Sequence, residues 1–218
     1  MKYLKYFIVW IILFSCFIFQ VTAQPEIGLF IGLNNSKFTG DGPPGGAYRY
    51  RRGFLGSIHM DFRLSDHVKL SVQPGFRTGG ATVAFKDPDL EEYRDSLKIN
   101  TFILTLPLLI KVTSMSEKVY FTGGFTIDFP SSIKADNGED KIDITDELFK
   151  VNVTAQFGLG YRIPVKATTL YIELRYLQGL VNLSDRRDEE EAYLPRVKSS
   201  AMQLVIGWQL PIRKNKGS

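Results

Sequence analysis

Apolar and polar residues alternate with a period of two along most of the chain, the spacing of strands that present one apolar face. The plainest stretch runs from Asn100 to Lys111. Phe102, Leu104, Leu106, Leu108 and Ile110 share one face; Thr101, Thr105 and Lys111 share the other, with Ile103 and Leu109 as apolar exceptions. Pro107 argues against a helix interior, and the run is shorter than the ~20 apolar residues a membrane-crossing helix needs. The spacing predicts a strand with one greasy and one mixed face.

The same reading places seven more strands. The first runs from Glu26 to Phe38, with Ile27, Leu29, Ile31 and Leu33 opposite Gly28, Gly32 and Asn34. Gly40 to Tyr50 reads as a Gly/Pro loop. The second strand, Gly53 to Leu64, sets Phe54, Ile58, Met60 and Phe62 against Ser57, His59, Asp61 and Arg63. A third, from Val68 to Phe85, alternates Val68, Leu70, Val72 and Phe76 with Lys69, Ser71, Gln73 and Arg77. Gly79-Gly80 suggests a bulge there, and Pro74 and Pro107 each suggest another, because a proline removes a ladder donor. After the Asn100 stretch, the fifth strand carries Phe121, Phe125, Ile127 and Phe129 opposite Tyr120, Thr122, Thr126 and Asp128. The sixth carries Phe149 to Tyr161 opposite Lys150, Asn152, Thr154, Gln156 and Arg162. The seventh carries Leu170 to Tyr176 opposite Tyr171, Glu173 and Arg175, and the eighth Met202 to Leu210 opposite Gln203, Gly207 and Gln209.

Period-two alternation alone also fits a soluble sandwich or a lipocalin-like barrel. Three observations favour a barrel in a membrane. Connections alternate long and short, and the short ones (Ser65 to His67, Ser114 to Glu117, Pro164 to Ala167) would gather at one end of an up-and-down barrel. Most of the 23 acidic residues fall in the four long connections, while the greasy faces are nearly free of charge. Aromatics sit toward both ends of the apolar faces: Phe54, Phe76, Phe102, Phe129, Phe149 and Tyr176 near the long loops, and Phe62, Tyr161 and Trp208 near the short turns. Such girdles mark bilayer interfaces. The expected fold is all-β: a transmembrane antiparallel up-and-down β-barrel of about eight strands. Its turns are expected to be periplasmic and its acidic loops extracellular.

The first residues read as a targeting segment rather than as fold. Lys2 and Lys5 precede an apolar run from Phe7 to Phe19, and Val21-Thr22-Ala23 offers a small-residue cleavage site. This divides the chain into a signal peptide, 1–23, and a barrel domain, 24–218. A lipoprotein signal at Leu13-Phe14-Ser15-Cys16 is the rival, disfavoured by the bulky Phe14. Cleavage after Ala23 removes the single cysteine, so no disulfide is expected. With 218 residues and a formal charge of +4, the chain can hold one domain. It lacks the basic, aromatic-interleaved runs of nucleic-acid binders.

Several stretches resemble a known family. Gly28-Leu29-Phe30-Ile31-Gly32-Leu33-Asn34-Asn35-Ser36, Gln73-Pro74-Gly75-Phe76-Arg77 and Leu104-Thr105-Leu106-Pro107-Leu108-Leu109-Ile110-Lys111 are similar to the first, third and fourth strands of the PorT-like outer-membrane β-barrel proteins of Bacteroidetes. The signal ending in Ala23-Gln24 is also typical of them. The resemblance implies residence in the outer membrane, surrounded by its lipid, and insertion by the barrel-assembly machinery. The founding member's tie to type IX secretion implies, as an alternative, a part in a secretion or envelope-assembly machine. The chain departs from many outer-membrane barrels at its end: the last aromatic is Trp208, so the terminal insertion signal is expected to be displaced or absent.

The polar faces carry the candidate chemistry. Arg63, Lys69, Arg77, Lys111, Lys150, Arg162 and Arg175 point inward with Asp61, Asp128 and Glu173, and Lys150 or Arg162 is the expected partner of Glu173. About eight strands enclose a space that side chains just fill, and buried charges must pair. The expected arrangement is a salt-bridged plug; an anion-selective passage is the alternative. These charges argue against a lipocalin-like carrier, which needs an apolar lumen. His59 with Asp61 and Ser57 or Ser71 could form a hydrolytic array, as in a lipid-modifying barrel, but no nucleophile motif supports it. No enzyme activity is expected. His67 falls in a turn, no metal-ligand spacing occurs, and the acidic run from Asp136 to Asp140 lacks the spacing of a calcium loop, so no cofactor or metal is expected. The long loops are the expected contact for an envelope protein.

Overall fold

The computed structural model describes residues 25–86, 93–138, 140–143, 151–165, 168–183 and 196–211. The signal segment, Cys16, Phe149, Lys150, the chain end and most of the loop acids lie outside them. The described chain holds β1 (Glu26–Gly40), β2 (Gly46–Arg63), β3 (Val68–Val72), β4 (Gly75–Lys86) and β5 (Tyr93–Thr113). It continues with β6 (Val119–Asp136), β7 (Lys141–Asp143), β8 (Asn152–Val165), β9 (Thr168–Gly179) and β10 (Val197–Pro211). Every pairing is antiparallel, and β1 pairs β10 over its whole length, from Glu26↔Pro211 to Gly40↔Val197, which closes the sheet. Strands β3 and β4 together make one stave, and β7 is a short flap on the end of β6. The ring therefore has eight staves, each beside its sequence neighbour.

The outward set forms a continuous apolar surface. Leu29, Ile31 and Leu33 on β1 are more than half exposed, as are Phe121 and Phe125 on β6 and Ile206 on β10. In a water-soluble protein this surface would be a severe liability; facing lipid it is the expected finish.

The third stave breaks at Gln73-Pro74, and the break explains how both prolines are housed. Gln73 N–H donates to the Pro107 carbonyl at 3.0 Å. Pro107 thus turns its missing donor toward the gap between β3 and β4, where no ladder partner is lost. No bulge occurs at Pro107: its register with β6 runs unbroken from Leu106↔Ile127 through Leu108↔Phe125. The irregularity in that ladder lies higher, where Phe102 faces Ser132 and Ile103 faces Pro130. Near Gly79-Gly80 the extra residue belongs to β2, whose register against β4 shifts between Tyr50 and Leu55, and Gly80 takes a φ of 125°.

The strands are longer than expected toward the long-loop end. Most of the Gly40 to Tyr50 loop is strand, with β2 starting at Gly46, and β5 starts at Tyr93. The outward apolar band of β5 begins only at Phe102, and that of β2 at Phe54. Above this row the two faces exchange polarity. Lys98 and Arg52 point outward and are exposed, whereas Ile99 and Leu97 line the interior.

Candidate functional site

The interior divides into a polar lower part, toward the short turns, and a largely apolar upper part. The lower part begins with Glu26. Lys69 Nζ donates to both of its carboxylate oxygens at 2.7 Å, and Arg162 Nη2 stands 3.8 Å away. Asp61 is fully buried and accepts from Lys111 Nζ and Ser71 Oγ, each at 2.5 Å. Gln209 Nε2 donates to Glu26 at 2.8 Å and to Asp61 at 2.9 Å, linking the two carboxylates.

A second layer lies directly above. Glu173 accepts from Arg175 Nη2 at 2.9 Å, Thr122 Oγ1 at 2.7 Å and the Tyr120 hydroxyl at 3.0 Å. The partner is Arg175, not Arg162, which reaches Glu26 instead. Residues two apart on a strand share a face, so the Glu173–Arg175 pair needs no cross-strand register. The Arg175 guanidinium stands 4.5 Å from the centre of the Phe30 ring, and Lys111 Nζ 5.0 Å from that of Tyr120. Both cations are thus held by an anion or a hydrogen-bonded chain and by a ring face.

The rings fit because glycines face them. Tyr120 pairs with Gly160 and Tyr171 with Gly207, and a Cβ on either glycine would lie 2.1 Å from the opposing phenol carbon. Each large inward side chain thus fills the space its neighbour leaves. Phe30, Leu55, Tyr120, Tyr171 and Val205 form the resulting apolar cluster. His59 sits among them, fully buried, with Nδ1 3.0 Å from the Tyr171 hydroxyl. Ser71 donates to Asp61, and the Ser57 hydroxyl lies within hydrogen-bonding distance of the carbonyls of Ile58, Gln73 and Pro74, one of which takes its proton. These residues do not assemble a Ser–His–acid array.

A third charged pair closes the lower part from above. Arg77 Nη2 donates to Asp128 Oδ2 at 2.7 Å, and Thr154 Oγ1 donates to the same oxygen at 2.5 Å. Nearby, Asn34 donates from Nδ2 to the Thr78 carbonyl and accepts at Oδ1 from Gln203 Nε2. Over this floor opens a cavity of about 420 Å³. Phe38, Tyr48, Val83, Ile99, Ile133 and Leu177 line it, with Arg77, Asp128 and Asn152 at its base. The salt-bridged layers thus fill the lower part, and the upper part is lined mainly by apolar side chains.

Of the inward charges expected from sequence, Asp61, Lys69, Arg77, Lys111, Asp128, Glu173 and Arg175 are buried inside, and Arg162 is partly so. Arg63 is not part of the interior. It shares the inward parity of His59 and Asp61, but it is the last residue of β2 and lies exposed at the rim. Sequence reasoning missed Glu26, although Gly28, Gly32 and Asn34 give its parity. It also missed the roles of Tyr120, Tyr171 and Gln209, which appeared only as polar-face residues.

The girdle residues Phe54, Phe102, Phe129, Tyr161, Tyr176 and Trp208 are all exposed on the outer wall, and Phe76 is half-buried among them. Phe76 stacks on Phe102 with ring centres 5.7 Å apart and meets Phe54 edge-on at 6.1 Å. This row lies at the edge of the apolar band, well inside β2 and β5 rather than at their ends. Among the described residues no group of His, Cys, Asp and Glu is arranged to hold a metal.

The family model "Outer membrane protein beta-barrel domain" matches residues 22–185. Among solved structures, Neisserial surface protein A is similar over 85% of this chain and 97% of its own, at 11% identity and a TM-score of 0.49. Ail, the attachment invasion locus protein of Yersinia pestis, aligns over 86% and 99%, at 13% identity and a TM-score of 0.44. The outer membrane protein AlkL, determined in DMPC bilayers, aligns over 90% and 93%, at 11% identity and a TM-score of 0.44. No curated protein matches the chain in sequence.

Proposed function

The chain belongs to the outer-membrane β-barrel domain family, and on that premise we propose that it is a structural and partner-binding barrel whose lumen is closed by side chains. It resides in the outer membrane and crosses it with its eight staves. One observation carries the reading of a closed lumen: the three buried acids Asp61, Asp128 and Glu173 are each held by an inward cation and further donors. A conducting pore keeps its charges hydrated; these are hydrogen-bonded to one another.

The long-loop end is the outer face in this reading, and its acidic connections are the surface offered to another envelope protein. Residues 1–23 direct export, and the barrel-assembly machinery inserts the mature chain. Placement in the PorT-like group of Bacteroidetes is supported by the motifs from Gly28, Gln73 and Leu104. The same motifs support a part in a secretion or envelope-assembly machine as the second reading. No catalysis is assigned to the His59 cluster, whose Nδ1 is occupied by Tyr171.

Glu173→Leu tests the plug. The change leaves Arg175 buried without its acceptor, an arrangement that typically costs ~3–5 kcal/mol. The refolded variant is expected to show a lower urea midpoint, and the unaltered protein to be almost silent in planar bilayers. A stable variant together with sizeable wild-type conductance would overturn the proposal.

A further inference from the structure

The plug does not account for the cavity above it. That space is set inside the upper wall, where the staves project beyond the apolar band. Its sides are apolar: Val83, Ile133, Leu177 and Ala201 are buried there, with Phe38, Ile99 and Ile103 around them. At about 420 Å³ it has the size of ordinary small-molecule sites.

Its base is polar and incompletely satisfied. Asp128 is fully buried and Asn152 nearly so, and both line the cavity. Asp128 spends Oδ2 on Arg77 and Thr154, and Asn152 donates from Nδ2 to Ser199 Oγ at 3.2 Å. Asp128 Oδ1 and Asn152 Oδ1 accept no hydrogen bond among the described residues. Buried acceptors are normally filled, so two empty ones at the base of an apolar cup are a site for a donor.

We propose that this cup binds a small apolar molecule that ends in an uncharged hydrogen-bond donor, such as an alcohol. The aliphatic part lies against Val83, Ile133 and Leu177, and the hydroxyl donates to Asp128 Oδ1 or Asn152 Oδ1. The charge at the base selects the head group. Arg77 is engaged by Asp128, and Lys37, the other cation on the described lining, stands over the Tyr50 ring, so a carboxylate at the base meets two acceptors and a carboxylate neighbour. A plain hydrocarbon leaves both acceptors unfilled.

The test uses the full barrel in lipid nanodiscs with labelled Ile, Leu and Val methyl groups. Octanol, octanoate and octane are the probes. The methyls of Val83, Ile133 and Leu177 report on the cup. Those of Ile31 and Leu33, on the outer wall, report partition into lipid. Octanol is expected to shift the inner methyls saturably, with a half-saturation at least ~10-fold lower than octane or octanoate, because a site built to hydrogen-bond a hydroxyl rejects analogues lacking it. The outer methyls should move in proportion to lipid loading with all three. Ile99→Trp, on the wall of the cup, should abolish the saturable shift, and Asn152→Leu should raise the octanol half-saturation toward that of octane. Shifts confined to the outer methyls, equal responses to octanol and octane, or a preference for octanoate would each overturn the proposal. If Asn152→Leu does not fold, the probe series on the unaltered chain decides.

Discussion

Tyr171 on β9 stands directly opposite Gly207 on β10, and its ring occupies the space that a side chain at position 207 would need. Alanine there would place a methyl 2.1 Å from the Tyr171 ring, between two paired strands that cannot separate. Overpacking of this kind costs ~1–3 kcal/mol. Gly207→Ala should lower the urea midpoint of the refolded barrel. Tyr171→Ala should leave a void and destabilise in its own right. The double variant should be less damaged than the sum of the two, because the new methyl then enters the vacated space. Strict additivity would show that the two positions do not share that volume.

Asp61 and Lys111 form a buried pair at 2.5 Å, near the lower end of the lumen. Lys111→Met leaves Asp61 buried with only Ser71 and Gln209 as donors, and Asp61→Leu leaves the ammonium against ring faces. Each single change should destabilise by ~3–5 kcal/mol, and the combined change by less than either, since replacing both members with apolar groups removes the unpaired charge. Urea titrations of the four proteins give the coupling energy. A double variant as unstable as the sum would mean that water reaches this layer.

The two ends of the barrel should differ in access. Met115, in a short turn, is almost fully exposed, and Asn137, beyond the end of β6, is exposed at the opposite end. In a protein otherwise free of cysteine, Asn137→Cys should react with an impermeant maleimide on intact cells. Met115→Cys should react only after the outer membrane is opened. The opposite pattern would turn the proposed orientation over.

The outer wall was the most legible part of the sequence, because lipid demands apolar side chains at every second position regardless of what they touch. Ile31, Phe54, Leu108 and Trp208 needed only parity to be placed. Inside, parity named Asp61, Lys111 and Glu173 but not their partners, since partnership depends on cross-strand register and on side-chain reach. Glu173 was expected to find a cation on a neighbouring strand, yet its own strand supplies Arg175. Arg63 shows the converse limit: correct parity says nothing of burial at a strand end. Glycines 160 and 207 carried a readable signal, small residues on the inward parity of neighbouring strands, but their meaning depends on which ring faces them. The upper wall was misread because its pattern inverts. Leu97, Lys98 and Ile99 alternate as in a strand in water, with the apolar residues inward, and so fall outside the greasy-faced stretch that begins at Asn100.

That inversion has a mechanical consequence for how the protein sits. Below the Phe54–Phe76–Phe102 row the outer surface tolerates hydrocarbon; above it Arg52 and Lys98 do not. Pushing the barrel inward by one pair of residues would submerge cations, at a cost that rises from about 0–1 kcal/mol each near the interface to about 2–4 kcal/mol at the midplane. Lifting it would strip lipid from the aromatic row. The wall is thereby held at one height, and the bilayer must adjust to it. In a thinner or thicker membrane the lipid next to this barrel, rather than the barrel itself, is the component expected to deform.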